Sequence, residues 1–276
     1  MSIYIGSNRT VLEGENARKK LEQENDLKWL KGDAGVLQID QARWQKAQEF
    51  ELKTWMVDGR WTHEDNNNFH KKSFGDYAVL RGMTFNNGIE LGCGPFTNIR
   101  QVAGVTNVEE IHLLDPLIVQ YLKHPFCRYK GGRMWAWERR LTGVNWPRRK
   151  RVKIIESSIE DYKAETKFDL ILLINVLEHC RSVEAVWQKV LEIAAPGAFL
   201  VFADKYYDGA HLSEVLKDRY DAGHPIKVDQ SVIDDFLVKH WEVLYRQVVE
   251  KKGRAGRTSW DDHQAVYYIG RKKDNQ

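Results

Sequence analysis

The 276-residue sequence is poor in cysteine, with three, and in proline, with six. Cys93, Cys127 and Cys180 are odd in number and lack any paired spacing, which excludes a disulfide framework and a thiolate zinc site and fits a reducing compartment. No apolar run approaches the roughly 18 residues of a membrane span. The opening Met1-Ser-Ile-Tyr-Ile-Gly-Ser-Asn-Arg lacks the hydrophobic region of a secretory signal, so a cytoplasmic protein is expected. An excess of one charge is also missing: 42 Lys and Arg stand against 39 Asp and Glu, a net +3. Bulk electrostatics therefore gives no argument for a nucleic-acid partner. There is no internal repeat and no low-complexity tract, and the length suits one domain with elaborations.

What the chain does have is alternation. Short apolar runs at 89–93, 110–115, 152–157, 168–175 and 197–204 read as strands, with helical patterns between most of them, which implies a parallel sheet covered on both faces. The clearest helix starts at Val183. Val183, Val186, Trp187, Val190, Leu191 and Ala194 share a face, Ser182 supplies the cap, and Pro196-Gly197 is the expected stop. Two further runs, 242–250 and 264–270, suit an antiparallel hairpin at the sheet edge. Upstream, residues 1–74 form a charged, helix-friendly extension. Asp40 caps its second helix, and Trp44, Ala47, Leu52 and Trp55 make a stripe that docks on the main domain, with the role of a lid as the functional reading. The domain proper is expected from 75 to 276, with an insertion at about 124–150 rich in Arg, Lys and Trp.

The chemistry concentrates where strands end. Gly88-Ile-Glu-Leu-Gly-Cys-Gly-Pro95 is a strand that closes on a carboxylate and breaks into a glycine loop before a helical segment. Gly92 and Gly94 let backbone approach a ligand, and the following helix offers unpaired N–H groups. Asp115 ends the next strand, where a carboxylate can take ribose hydroxyls. A third run, Phe168-Asp-Leu-Ile-Leu-Leu-Ile-Asn-Val-Leu-Glu-His179, completes an ordered set. In these three places the chain resembles the class I S-adenosylmethionine-dependent methyltransferases, of the kind that act on small molecules, over roughly residues 75–273. The resemblance implies an α/β, Rossmann-like sheet of seven strands, mostly parallel, with a C-terminal antiparallel hairpin, helices on both faces and an N-terminal helical extension.

It also implies a site. Glu90, Gly92, Cys93, Gly94 and Pro95 match the loop under the methionine and ribose portions of the cofactor. Asp115 and the adjoining Pro116 match the ribose-binding acid, Ser158, Ile159 and Glu160 the stretch flanking adenine, and Asn175 and Val176 the point where the methionine portion meets the acceptor. His179 lies just past a strand end and is the expected base for a hydroxyl acceptor, with His211 and His224 as further candidates. Tyr206, His211, His224 and Arg148 are expected at the acceptor, Arg148 from a basic run, Pro147–Lys153, whose plainer reading is a solvated face. Some relatives hold a divalent metal through a Glu-His at this point. Asn175 is a poorer hard-metal ligand than the carboxylate such a site wants, so none is expected here.

The leading expectation is a methyltransferase with S-adenosylmethionine as cofactor and S-adenosylhomocysteine as product. It acts most simply on oxygen of a small metabolite, a sugar or an anionic compound, with no membrane and no nucleic acid involved. One alternative is a nucleic-acid or protein methyltransferase that docks through the basic insertion and the Trp-rich helices; no Asn-Pro-Pro-Tyr-type run supports it. The other is an NAD(P)-dependent oxidoreductase, but Thr97 stands where the third glycine of the dinucleotide loop belongs.

Overall fold

The computed structural model describes residues 11–58, 67–123, 127, 151–251 and 263–274. Its strands are β1 (Val11–Glu13), β2 (Gly35–Val36), β3 (Thr84–Leu91), β4 (Asn107–Leu114), β5 (Arg151–Ile155), β6 (Phe168–Ile174), β7 (Ala194–Lys205), β8 (Arg219–Asp221), β9 (Lys227–Val228), β10 (Trp241–Lys251) and β11 (His263–Lys272). Seven of them form one sheet in the order β10-β11-β7-β6-β3-β4-β5. The five strands β3 to β7 run parallel, and β11 enters antiparallel between β7 and β10. The expected sheet and its terminal hairpin are therefore present.

β6 sits at the centre, and its sequence shows why. In a strand, neighbouring side chains face opposite ways, so a strand buried on both faces must be apolar throughout. Ile171 and Leu173 join one core with the helices Val183–Ile193 and Gln230–His240, where Trp187 stacks on Phe236 at 4.1 Å. Leu170, Leu172 and Ile174 join the other, with Ile99, Val102, Ile118 and Tyr121. The caps follow the sequence: Ser182 accepts from the Ala185 N–H, Asp229 from Ser231 and Asp40 from Arg43.

Two of the boundaries that differ from expectation have a visible cause. β3 begins at Thr84, because the carboxylate of Asp169 accepts from the Asn86 and Asn87 N–H groups at 2.7 and 2.9 Å and holds an asparagine-rich stretch extended. The Val183 helix ends at Ile193, and Pro196-Gly197 falls inside β7, at a register shift before regular pairing resumes at Phe199. Of the basic run, Arg148 and Arg149 lie outside the described residues, as do Trp135 and Trp137. Arg151 and Lys153 are exposed on the edge strand β5 and pair with Glu110. No described helix is long and apolar enough to cross a membrane.

The N-terminal segment is fastened to the β8 segment by polar contacts of one buried cation and to both faces of the main sheet by apolar contact. Arg43, on the helix Gln41–Met56, is fully buried against Asp26 at 2.9 Å, donates to the carbonyls of Asp221 and Ala222, and lies over the ring of Tyr220. Farther along the helix, Trp44 packs against the first core while Leu52, Trp55 and Met56 pack against the second. The helix thus spans both layers. Removing one partner of a buried ion pair strands the other, so Arg43→Ala should lower unfolding free energy by roughly 3–5 kcal/mol in urea titrations. A loss below about 1 kcal/mol, the range of surface pairs, would mean the clamp is dispensable.

Candidate functional site

The carboxyl ends of β3, β4 and β6 meet beneath that helix. At the end of β3 the buried carboxylate of Glu90 accepts from the N–H groups of Asn98 and Ile99 at 2.7 and 3.0 Å, from the Asn98 side chain, and from the Thr97 hydroxyl. It is a tether for the loop. Burial pushes its pKa up to about 7 against those donors. Thr97 therefore departs from the dinucleotide fingerprint for a structural reason: its side chain belongs to the tether.

Within the loop, Gly92 and Gly94 both have positive φ, +69° and +53°. A Cβ on Gly92 would meet Val176 at 2.6 Å, so only glycine lets the β3 and β6 ends close on each other, whereas the space at the Gly94 Cβ position is open. Cys93 and Pro95 are buried. The Gly94 N–H donates to Asp115 at 3.0 Å, and the other Asp115 oxygen accepts from Leu117 at 2.8 Å. Burial raises the Asp115 pKa to about 6, with those two N–H groups opposing the rise. Pro116 beside it is half-buried.

The third strand end contributes less by its side chains. Ile159 belongs to the core, Ser158 bonds Asp161 and Arg181, and Glu160 accepts from the N–H groups of Arg181 and Ser182, bracing the start of the Val183 helix.

After β6 the chain turns sharply. Asn175 is exposed with φ +57°, and the buried Asp204 accepts from the next two N–H groups, Val176 and Leu177, at 3.0 and 2.9 Å. The turn sends Glu178 and His179 to different partners. Glu178 points inward to Lys227 at 2.7 Å, to Lys205 and to the Tyr207 hydroxyl; burial opposes its charge, yet the two lysines hold its carboxyl well below the usual range. It is unavailable to a metal. The His179 ring lies 4.6 Å from that of His224, and its Nδ1 is buried without a hydrogen-bond partner among the described residues. Glu51, from the helix above, completes a cluster in which one ligand atom from each of Glu51, His179 and His224 lies within 4.8 Å of the others. The Asp221 carboxylate, which His224 and Lys227 hold ionised, accepts from His224 Nδ1 at 2.8 Å. Burial brings the His224 pKa down to about 4 despite that carboxylate, so its imidazole is neutral near pH 7.

Of the sequence-derived candidates, the structure thus brings together Gly92, Gly94, Asp115, Asn175, Val176, His179 and His224. It takes others elsewhere. The Tyr206 hydroxyl bonds Asp234 and Arg246, and His211 packs edge-on to Tyr207 at 5.2 Å. Glu51, Lys205, Asp221 and Lys227 were not singled out by sequence. Glu51 is 128 positions from His179 in the chain, and no local pattern announces so distant a neighbour.

No protein-family model matches the sequence, and no curated protein matches it. Solved structures do. NodS, an N-methyltransferase from Bradyrhizobium japonicum WM9 crystallised with S-adenosylhomocysteine, aligns at 16% identity over 84% of this chain and 99% of its own, with a TM-score of 0.51. The 1,6-didemethyltoxoflavin-N1-methyltransferase of Burkholderia thailandensis aligns at 15% identity over 99% of both chains, TM-score 0.51. A Haloferax volcanii methyltransferase solved with its Trm112 activator gives 0.52 at 10% identity, over 81% of this chain and 98% of that one. At these identities the likeness is one of fold. With the strand order, the inserted antiparallel β11 and the glycine loop at the end of β3, it shows that the chain has the class I methyltransferase fold.

Proposed function

We propose that the protein is an S-adenosylmethionine-dependent methyltransferase acting on oxygen of a small metabolite or sugar. The observation that carries this is the meeting of the Gly92–Gly94 backbone with the Asp115 carboxylate at the carboxyl edge of the sheet, the place where open α/β sheets bind ligands. Asp115 would take the ribose hydroxyls, the glycine loop would underlie the methionine portion, and Asn175 would face the sulfur. The side chains of Ser158, Ile159 and Glu160 are committed to the protein, so adenine would rest against their backbone.

Methyl transfer is a single displacement. The acceptor oxygen bonds to the methyl carbon, the carbon–sulfur bond gives its electron pair to sulfur, and the acceptor proton passes to a base. Positioning dominates such a step. The cluster of Glu51, His179 and His224 is the group we assign to the acceptor side, where it receives the hydroxyl and its proton. The helix Gln41–Met56 supports a closed pocket for a small acceptor. Its Trp44 and Gln48 side chains donate to the His179 carbonyl, and Trp55 packs on Phe96 of the loop at 5.7 Å. In this reading residues 1–74 serve as a lid.

Two outcomes follow. Calorimetry should show S-adenosylhomocysteine binding, weakened by roughly 1–3 kcal/mol in Asp115→Ala through loss of charge-assisted hydrogen bonds. Ribose hydroxyls prefer the ionised carboxylate, so wild-type affinity should rise between pH 5 and pH 7, as Asp115 ionises around 6, and then level off. Affinity that is flat with pH and indifferent to the substitution would place the ribose elsewhere. For the acceptor side, His179→Ala should reduce turnover about 100-fold or more with cofactor affinity nearly unchanged, measured by methyl transfer and calorimetry on the same preparation. Near-normal turnover would remove His179 from the chemistry.

A further inference from the structure

We propose that Glu51, His179 and His224 form a binding site for one divalent transition-metal ion. The site goes beyond the methyl-transfer reading and stands or falls separately from it, since nothing in it requires S-adenosylmethionine; with the ion bound, His179 would serve as a ligand, and its role as base belongs to the metal-free protein. Three separate elements deliver the donors: the helix Gln41–Met56, the turn after β6, and the segment between β8 and β9. Their ligand atoms already lie within 4.8 Å of one another. A tetrahedral ion at about 2.0–2.1 Å from each would draw them to about 3.4 Å apart, a change within reach of side-chain torsions.

The surroundings are those of ligands held in place by a second layer of contacts. His224 engages Asp221 through Nδ1 at 2.8 Å, which leaves Nε2 to present its lone pair to an ion, the carboxylate–histidine–metal arrangement. Glu51 accepts from Trp55 Nε1 at 2.6 Å through one oxygen, leaving the second. The backbone of His179 is fixed by Trp44 and Gln48, which donate to its carbonyl at 2.9 and 3.1 Å. An independent sign points to a missing partner: His179 Nδ1 is buried and bonded to nothing among the described residues. A buried polar atom without a partner is costly, and a bound ion would relieve that cost by reorienting the ring.

Two imidazoles and one carboxylate favour zinc, cobalt or iron over magnesium and calcium, which prefer oxygen donors. Three protein ligands leave coordination positions open, as in catalytic rather than structural sites. Glu178, the sequence neighbour of His179, is excluded as a ligand by its pairing with Lys205 and Lys227. The lid helix supplies the carboxylate instead, so occupation of the site would also pin that helix over the cleft.

The test is a titration of the full chain, first stripped with a chelator, using Zn²⁺ in calorimetry and Co²⁺ followed by its visible ligand-field absorption. One equivalent should bind. Glu51→Gln and His224→Ala should each weaken binding at least about 10-fold, and Asp221→Asn by about 10–100-fold, while His240→Ala should leave it unchanged. Far-ultraviolet circular dichroism of each variant checks its fold, and Glu51→Gln, a conservative change on a half-buried helical position, keeps the test decisive if a histidine variant unfolds. Absence of one-to-one binding, or equal affinity in wild type and Glu51→Gln, overturns the proposal. S-adenosylhomocysteine binding measured on the same metal-free protein separates that result from a failure of the cofactor reading.

Discussion

The shape of the loop at the carboxyl edge of this sheet depends on one buried carboxylate. Glu90 stands one residue before the end of β3, paired there with both β4 and β6, and its oxygens gather the N–H groups that open the following helix together with the side chains of Thr97 and Asn98. Without it those donors would be buried and unpaired, and the glycine loop would have no reason to keep its shape. The tether has a cost. Burial raises the Glu90 pKa to about 7, above its ordinary value, so its contribution to folding is greatest at acid pH and declines as pH rises through 7. The protein keeps a destabilising charge because the loop needs an acceptor with that many lone pairs.

The same device recurs two strands away. Asp204 holds the turn after β6 by accepting from two consecutive N–H groups, and Asn175 takes a left-handed conformation at that turn. Strain of this kind persists only where surrounding bonds over-determine it. Here it separates two adjacent residues: Glu178 is committed to the lysines below the surface, and His179 is left beside His224 and under Glu51. The N-terminal helix then closes the edge from above, anchored at one end by Arg43 and along its length by aromatic contacts with both cores.

Much of this was legible in the sequence because it is local. The Asp40 and Ser182 caps, the two-faced apolar run of β6, the terminal hairpin and the glycine loop each follow from periodicity or from a residue with a specific conformational role. What was hidden is what long-range pairing decides. The strand expected from residue 89 begins instead at Thr84, because Asp169 answers the N–H groups of Asn86 and Asn87. Tyr206 and Tyr207 are indistinguishable as text, and only the packing sends the first to Asp234 and Arg246 and the second to Glu178. Glu178 and His179 looked like a pair, but two distant lysines divide them. Glu51 sat unnoticed beside an aromatic stripe whose docking brings it to the histidines.

The central claim is that the carboxyl edge framed by Gly92, Asp115 and Asn175 is the cofactor site. Its most direct measure is a crystal structure of the protein with S-adenosylhomocysteine. The account predicts ribose hydroxyls within hydrogen-bond distance of Asp115, the methionyl chain along the Gly92–Gly94 backbone, and the sulfur turned toward His179 and His224. Ligand density in another cleft, or a ribose bound without Asp115, would contradict it.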